Sequence, residues 1–175
     1  MSIARMIASN QEQVDQGIKA LMSNPRNVSR SIGLDIITKR APLANSTTVL
    51  LQLSDGTLCL IIQLLSFHNN YLPDSLYYFL SLPAFTFAGF GIKDTMPILK
   101  KDYGLVCKNT LEVGPSAWDH KRASNISILR SMHVPEFRSF SGFCNAELNL
   151  TGEMINLAVS NAYAAFRLGE DFLTI

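Results

Sequence analysis

Apolar residues recur along this chain with two periods, and the changes of period divide it into elements. Between 10 and 23, Val14, Ile18, Leu21 and Met22 share one helical stripe, with Ser9 or Asn10 as cap and Asn24-Pro25 as stop. The run SIGLDII (31–37) reads as a strand. TTVLLQL (47–53) and TLCLIIQL (57–64) are two more, antiparallel and joined by Ser54-Asp55-Gly56, which suits a hairpin turn. Pro73-Asp74 opens a helix, DSLYYFLSL, that Pro83 ends, and FTFAGFGI (85–92) is a fourth strand. DTMPILKKDYG predicts a helix with Asp94 as N-cap, Pro97 in its first turn and Gly104 at its end. LVC (105–107) is a short fifth strand. Residues 124–132 look helical and 133–149 irregular, and a long helix follows from 151 to 169 with Thr151 as cap and Glu153 near its positive end. The order α-β-β-β-α-β-α-β-α-α predicts an α/β fold, a mixed sheet flanked by helices.

One position breaks the pattern. In GLDIIT (33–38), Asp35 stands inside a run that otherwise reads as a buried strand. A charge is costly there unless it has a partner or a task.

Composition narrows the class. The chain has 175 residues, 47% of them hydrophobic and 17% charged, with a formal net charge of +1. A single globular domain over 1–175 is expected, burying about 70% of its unfolded surface, and a disordered tail is excluded. Near-neutrality argues against strong general affinity for nucleic acid. Cys59, Cys107 and Cys144 have no paired spacing, which predicts reduced thiols in a cytoplasmic or nuclear protein. MSIARMIASNQEQ lacks the apolar core of a secretory signal, and LCLIIQLL (58–65) is too short for a bilayer, so no membrane association is expected.

Several words in this order resemble the Werner-syndrome-type 3′–5′ exonuclease domain of the DEDD (DnaQ-like) superfamily, in particular the short stand-alone members found in plants. GLD (33–35) resembles the first motif, and VLLQLSDGTLCLIIQLL (49–65) the hairpin after it. FAGFGIKDT with LKKDYGL (87–105) resembles the second motif, and LAVSNAYAAF (157–166) the third. The resemblance covers about 12–170. It implies an RNase H-like fold: a mixed five-stranded sheet, three antiparallel strands then parallel strands, flanked by helices. It also implies phosphodiester hydrolysis by two Mg²⁺ or Mn²⁺ ions about 4 Å apart. Such hard cations need several carboxylate oxygens held close together.

Position by position, that ligand set is depleted. Asp35 matches the first Asp, but Ile37 stands at the Glu position on the same strand face. Thr95 stands at the second-motif Asp, Leu157 at the Tyr that would position water, and Asn161 at the last Asp. One carboxylate of four remains. No cofactor is therefore expected, with Asp35 the residue for any metal and Mg²⁺ or Mn²⁺ the ion if residual activity exists. Asp35 reads either as a former-site position or as a polar residue at a strand end, with Asn161 as its candidate hydrogen-bond donor.

The other candidates have plainer readings. Asp94 is one position early for the second ligand; it could substitute there, but a helix cap explains it without metal. Asp102 reads as a solvated charge, and Glu112 as structural or surface. His68, His120 and His133 show no metal spacing. Lys39-Arg40, Lys100-Lys101 and Lys121-Arg122 read as solvated pairs, with Lys39 and Arg40 the candidates for a nucleic-acid phosphate. In CNAELN (144–149), Ala146 stands where the resemblance expects Trp, so a substrate-facing wall is altered too. The resulting expectation is a catalytically inactive exonuclease-like protein that binds a partner protein or an active relative and self-associates. The alternatives are a weak metal-dependent 3′–5′ exonuclease using Asp35, Asp94 and a ligand from a neighbouring subunit, and a nucleic-acid-binding protein that does not cleave.

Overall fold

Six strands form one sheet in the order β1-β4-β3-β2-β5-β6. The computed structural model describes residues 3–41, 44–114 and 152–174, except the side chains of 39–41, 44–47 and 70. β1 (Ala4–Ala8) is followed by α1 (Gln11–Met22), then β2 (Ser31–Ala41), β3 (Ala44–Ser54) and β4 (Leu58–Gln63). After two short 3₁₀ turns come α2 (Asp74–Ser81), β5 (Thr86–Gly89), α3 (Ile92–Tyr103), β6 (Thr110–Glu112) and α4 (Gly152–Leu173). β2, β3 and β4 are antiparallel neighbours, while β1 runs parallel to β4, β5 to β2 and β6 to β5.

The local signals explain most of these elements. Asn10 caps α1, its side chain accepting from the Gln13 N–H at 2.9 Å. In the β3–β4 turn, Asp55 Oδ1 accepts from the N–H groups of Thr57 and Leu58 at 2.9 and 2.8 Å. Gly56 supplies the φ of 88° that the turn needs.

Alternation along the strands sends two sets of side chains to opposite faces. Ile32, Leu34, Leu51, Leu53, Leu60 and Ile62 pack under α1 and α2 in the larger core. There Phe79 meets Phe85 and Phe87 edge-on, with centroids 5.1 and 5.3 Å apart. Ile37, Leu50, Cys59 and Ile61 face the other way, against Met154, Ala158, Val159 and Ala162 of α4. α4 lies very close to β2: a Cβ added to Gly33 would fall on the carbonyl oxygen of Ala162. Ser31 anchors the same contact, its hydroxyl donating to the Phe166 carbonyl at 3.2 Å.

The sheet has six strands where five were expected. The additional one is β1, whose partner β4 lies more than fifty residues away, with Ala4 opposite Leu58. LVC (105–107) is not a strand. Leu105 and Cys107 are buried, but the loop is held by the Lys108 N–H donating to the Leu80 carbonyl, and pairing begins only at Thr110. α3 starts three residues earlier than expected, capped at Gly91, in the left-handed region at φ 63°, instead of at Asp94. Asp94 is therefore an exposed first-turn residue rather than the cap. Pro97 lies in the second turn, where it has no N–H to give to the Lys93 carbonyl. α4 runs four residues past its expected end at 169. The expectations for Thr151, 124–132 and 133–149 fall outside the described residues.

Candidate functional site

The face of β2 that meets α4 carries Gly33, Asp35 and Ile37 in succession. Asp35 is half-buried as a residue, with its carboxyl group drawn away from water. Desolvation pushes its pKa from 3.8 up to about 6, opposed by hydrogen bonds from the Ile36 N–H and the Asn161 side chain. The Asn161 side chain thus acts on the Asp35 carboxyl from the middle of α4 toward the centre of β2.

Ile37 is 1% exposed and lies in the apolar cluster under α4. Leu157, one helical turn before Asn161, packs at the margin of the same cluster with Ile155 and Ile3. So the positions that flank Asp35 on the strand and Asn161 on the helix are joined by hydrocarbon.

Thr95 lies in the opening turns of α3, its hydroxyl donating to the Gly91 carbonyl at 3.3 Å. Glu112 stiffens the same corner: its Oε2 accepts from the N–H groups of Gly91 and Gly114 at 2.8 and 2.9 Å, a structural role. Asp102 is not simply a solvated charge. Its Oδ2 accepts from both the N–H and the hydroxyl of Thr48 at 3.0 Å, and so ties α3 to β3. The neighbouring Tyr103 hydroxyl donates to the Thr48 carbonyl at 2.8 Å.

None of the other candidates among the described residues joins the site. Lys39 and Arg40 belong to β2 by their backbone, and their side chains lie outside the described residues, as do Lys121, Arg122, His120, His133, Cys144 and Ala146. His68 is exposed. Cys59 and Cys107 are buried free thiols. Desolvation pushes both up to about 12, aided at Cys59 by the Asp35 charge, so neither supplies a thiolate nucleophile near neutral pH.

One polar residue escaped the sequence reading. Gln52 is fully buried on β3, directly across from Asp35 in the antiparallel register. The signal was the one that drew attention to Asp35, a single polar side chain inside an apolar run.

No family model and no curated protein matches this chain. Solved structures do. The catalytic core of RRP6 from Trypanosoma brucei, in its C496S mutant, superposes with a TM-score of 0.76 at 15% identity, over 98% of this chain and 47% of that one. Escherichia coli RNase D, an exoribonuclease involved in structured RNA processing, gives 0.68 at 14% identity, over 98% and 46%. The EXD2 exonuclease domain gives 0.59 at 22% identity, over 94% and 86%. The fold is that of the DEDD-type 3′–5′ exonucleases. The chain spans about half the length of the RRP6 and RNase D chains and most of the EXD2 domain.

The EXD2 domain has been soaked with Mn and Mg. Asp35 here is flanked on its face by Ile37, and its helix partner is an amide. Among the described residues, no three of His, Cys, Asp and Glu come together to hold a metal ion. The described donor set does not fit a two-metal centre. No helix among the described residues is long and apolar enough to cross a membrane.

Proposed function

We propose that this chain is a non-cleaving protein on the exonuclease fold, acting by binding a partner protein or an active relative. The observation that carries the reading is the joining of Ile37 and Leu157 in one apolar cluster beside Asp35. Hydrolysis on this fold needs two cations held by several carboxylates, and hydrocarbon at these positions offers them no oxygen.

The test is to incubate the pure protein with end-labelled single- and double-stranded DNA and RNA, in Mg²⁺ and in Mn²⁺. No trimming is expected. Metal-dependent shortening from the 3′ end that disappears in Asp35→Ala would overturn the proposal and establish a degenerate but working exonuclease. Light scattering tests self-association, for which two or more copies per particle are expected. A gel shift that weakens with salt would replace protein binding with nucleic-acid binding.

A further inference from the structure

β1 stands at one edge of the sheet, with β4 on one side and, among the described residues, no strand on the other. Its ladder runs from Ala4 opposite Leu58 to Ala8 opposite Ile62 without a shift, so no bulge turns the edge away. The strand carries neither lysine nor proline, residues that commonly guard an open edge. Its one charge, Arg5, is turned to α4, where the guanidinium donates to Asn156 Oδ1 at 2.6 Å.

The parity of β1 fixes which groups face outward. The Ala4 N–H donates to the Thr57 carbonyl at 3.0 Å, and in a parallel ladder alternate residues turn both main-chain groups to the partner. Ala4, Met6 and Ala8 therefore bond to β4, while Arg5 and Ile7 present their N–H and C=O groups at the free edge. The Ser9 N–H, next in that outward series, is already held by Gln13 Oε1 at 2.9 Å. Side chains alternate too. Met6 packs against the larger core, and Ile7, on the same face as Arg5, is left 37% exposed.

We propose that β1 is where two copies of this chain join, their strands pairing antiparallel about a two-fold axis at Met6 to make one continuous sheet. This contact depends on the self-association expected above and supplies its surface. A two-fold pairing sets the strand against itself, and the residues discriminate among the possible centres. Centred on Arg5, it would oppose two like charges. Centred on Ile7, it would need the Ser9 N–H that Gln13 has taken. Centred on Met6, it sets Arg5 of each copy against Ile7 of the other, and each such pair exchanges two main-chain hydrogen bonds through the outward groups. The aliphatic stem of Arg5 then covers the exposed Ile7, and the two Met6 side chains meet on the other face. Pairing of β1 with the three-residue β6 of a second copy would instead be heterologous and leave edges open for further addition. A joint this small lies at the low end of specific interfaces, so the dimer comes apart on dilution.

The experiment uses the full chain. Light scattering is expected to give a mass that rises with concentration to that of two chains and no further. Met6→Cys should form a disulfide-linked dimer on mild oxidation, because residues opposed in a non-hydrogen-bonded pair stand ~4.5 Å apart at Cα, within disulfide reach. Ile7→Cys should stay at the wild-type level of cross-linking, since it lies opposite Arg5 and not opposite itself. Ile7→Pro deletes only an outward N–H, so it should weaken the dimer roughly tenfold or more while keeping the melting temperature of the dilute protein. Ile7→Lys gives the same reading if the proline variant does not fold. A wild-type monomer at every concentration overturns the self-association and this contact with it, and leaves the non-cleaving reading to the nuclease assay. A dimer that Ile7→Pro and Ile7→Lys do not weaken, or that Met6→Cys does not trap, overturns the β1 contact alone. Growth beyond two copies overturns the two-fold closure.

Discussion

Replacing Asp35 with Asn removes a charge and keeps the shape, and the structure gives the resulting stability change a sign and a pH window. Asp35 titrates at 3.8 when free and at about 6 in the folded protein, chiefly because burial disfavours the carboxylate. The folded state therefore holds more protons than the unfolded state between those values, and wild-type stability falls as pH rises through the window. The contribution is fully present below about pH 4 and lost above about pH 6. At ~1.4 kcal/mol per pH unit the full effect is roughly 3 kcal/mol, and the partial exposure of the residue reduces it to about 1–3 kcal/mol. Asparagine has no charge to bury, and it keeps a carbonyl toward the Ile36 N–H and the Asn161 side chain. Asp35→Asn is thus expected to be more stable than wild type by about 1–3 kcal/mol at pH 7.5, with the difference vanishing near pH 4. Urea unfolding of both proteins at half-unit steps from pH 4 to 8 measures it, with the difference in midpoint read at constant slope. A difference that stays flat across that range, or an Asp35→Asn protein less stable than wild type at pH 7.5, would refute the desolvation argument.

Three further changes probe the same interface and its surroundings. Asn161→Asp sets a second carboxylate against Asp35 and removes a donor; it should cost about 1–3 kcal/mol at pH 7.5 by thermal melting, with no rescue by Mn²⁺. Recovery in Mn²⁺ would show that the position can still act as a ligand. Gly33→Ala drives a methyl into the Ala162 carbonyl and should cost ~1–3 kcal/mol or more in chemical denaturation, with α4 amides losing the most hydrogen-exchange protection. Asp102→Ala leaves the Thr48 N–H and hydroxyl without their acceptor, an expected loss of about 1.5–3 kcal/mol, and Asp102→Asn should recover part of it.

The sequence by itself determined the elements whose hydrophobic period is long and whose ends carry chemical stops. α1 between Asn10 and Asn24-Pro25, the strands on either side of Asp55-Gly56, and α2 ahead of Pro83 follow from short-range rules, because a cap or a turn is satisfied within a few residues. Asp35 also stood out in the sequence, since an acid in an apolar run is conspicuous before any fold is known. Tertiary structure decided what depends on distant pairing. β1 is a strand through its ladder with β4, and the apolar LVC segment is a buried loop because β5 pairs with Thr110–Glu112 instead. Asp102 reads as a surface charge until α3 is laid against Thr48, and Glu112 gains its meaning only beside Gly91. The sharpest case is Gln52. In sequence it is one polar letter among leucines, and only the antiparallel register sets it opposite Asp35 and under α4, where its side chain is fully buried.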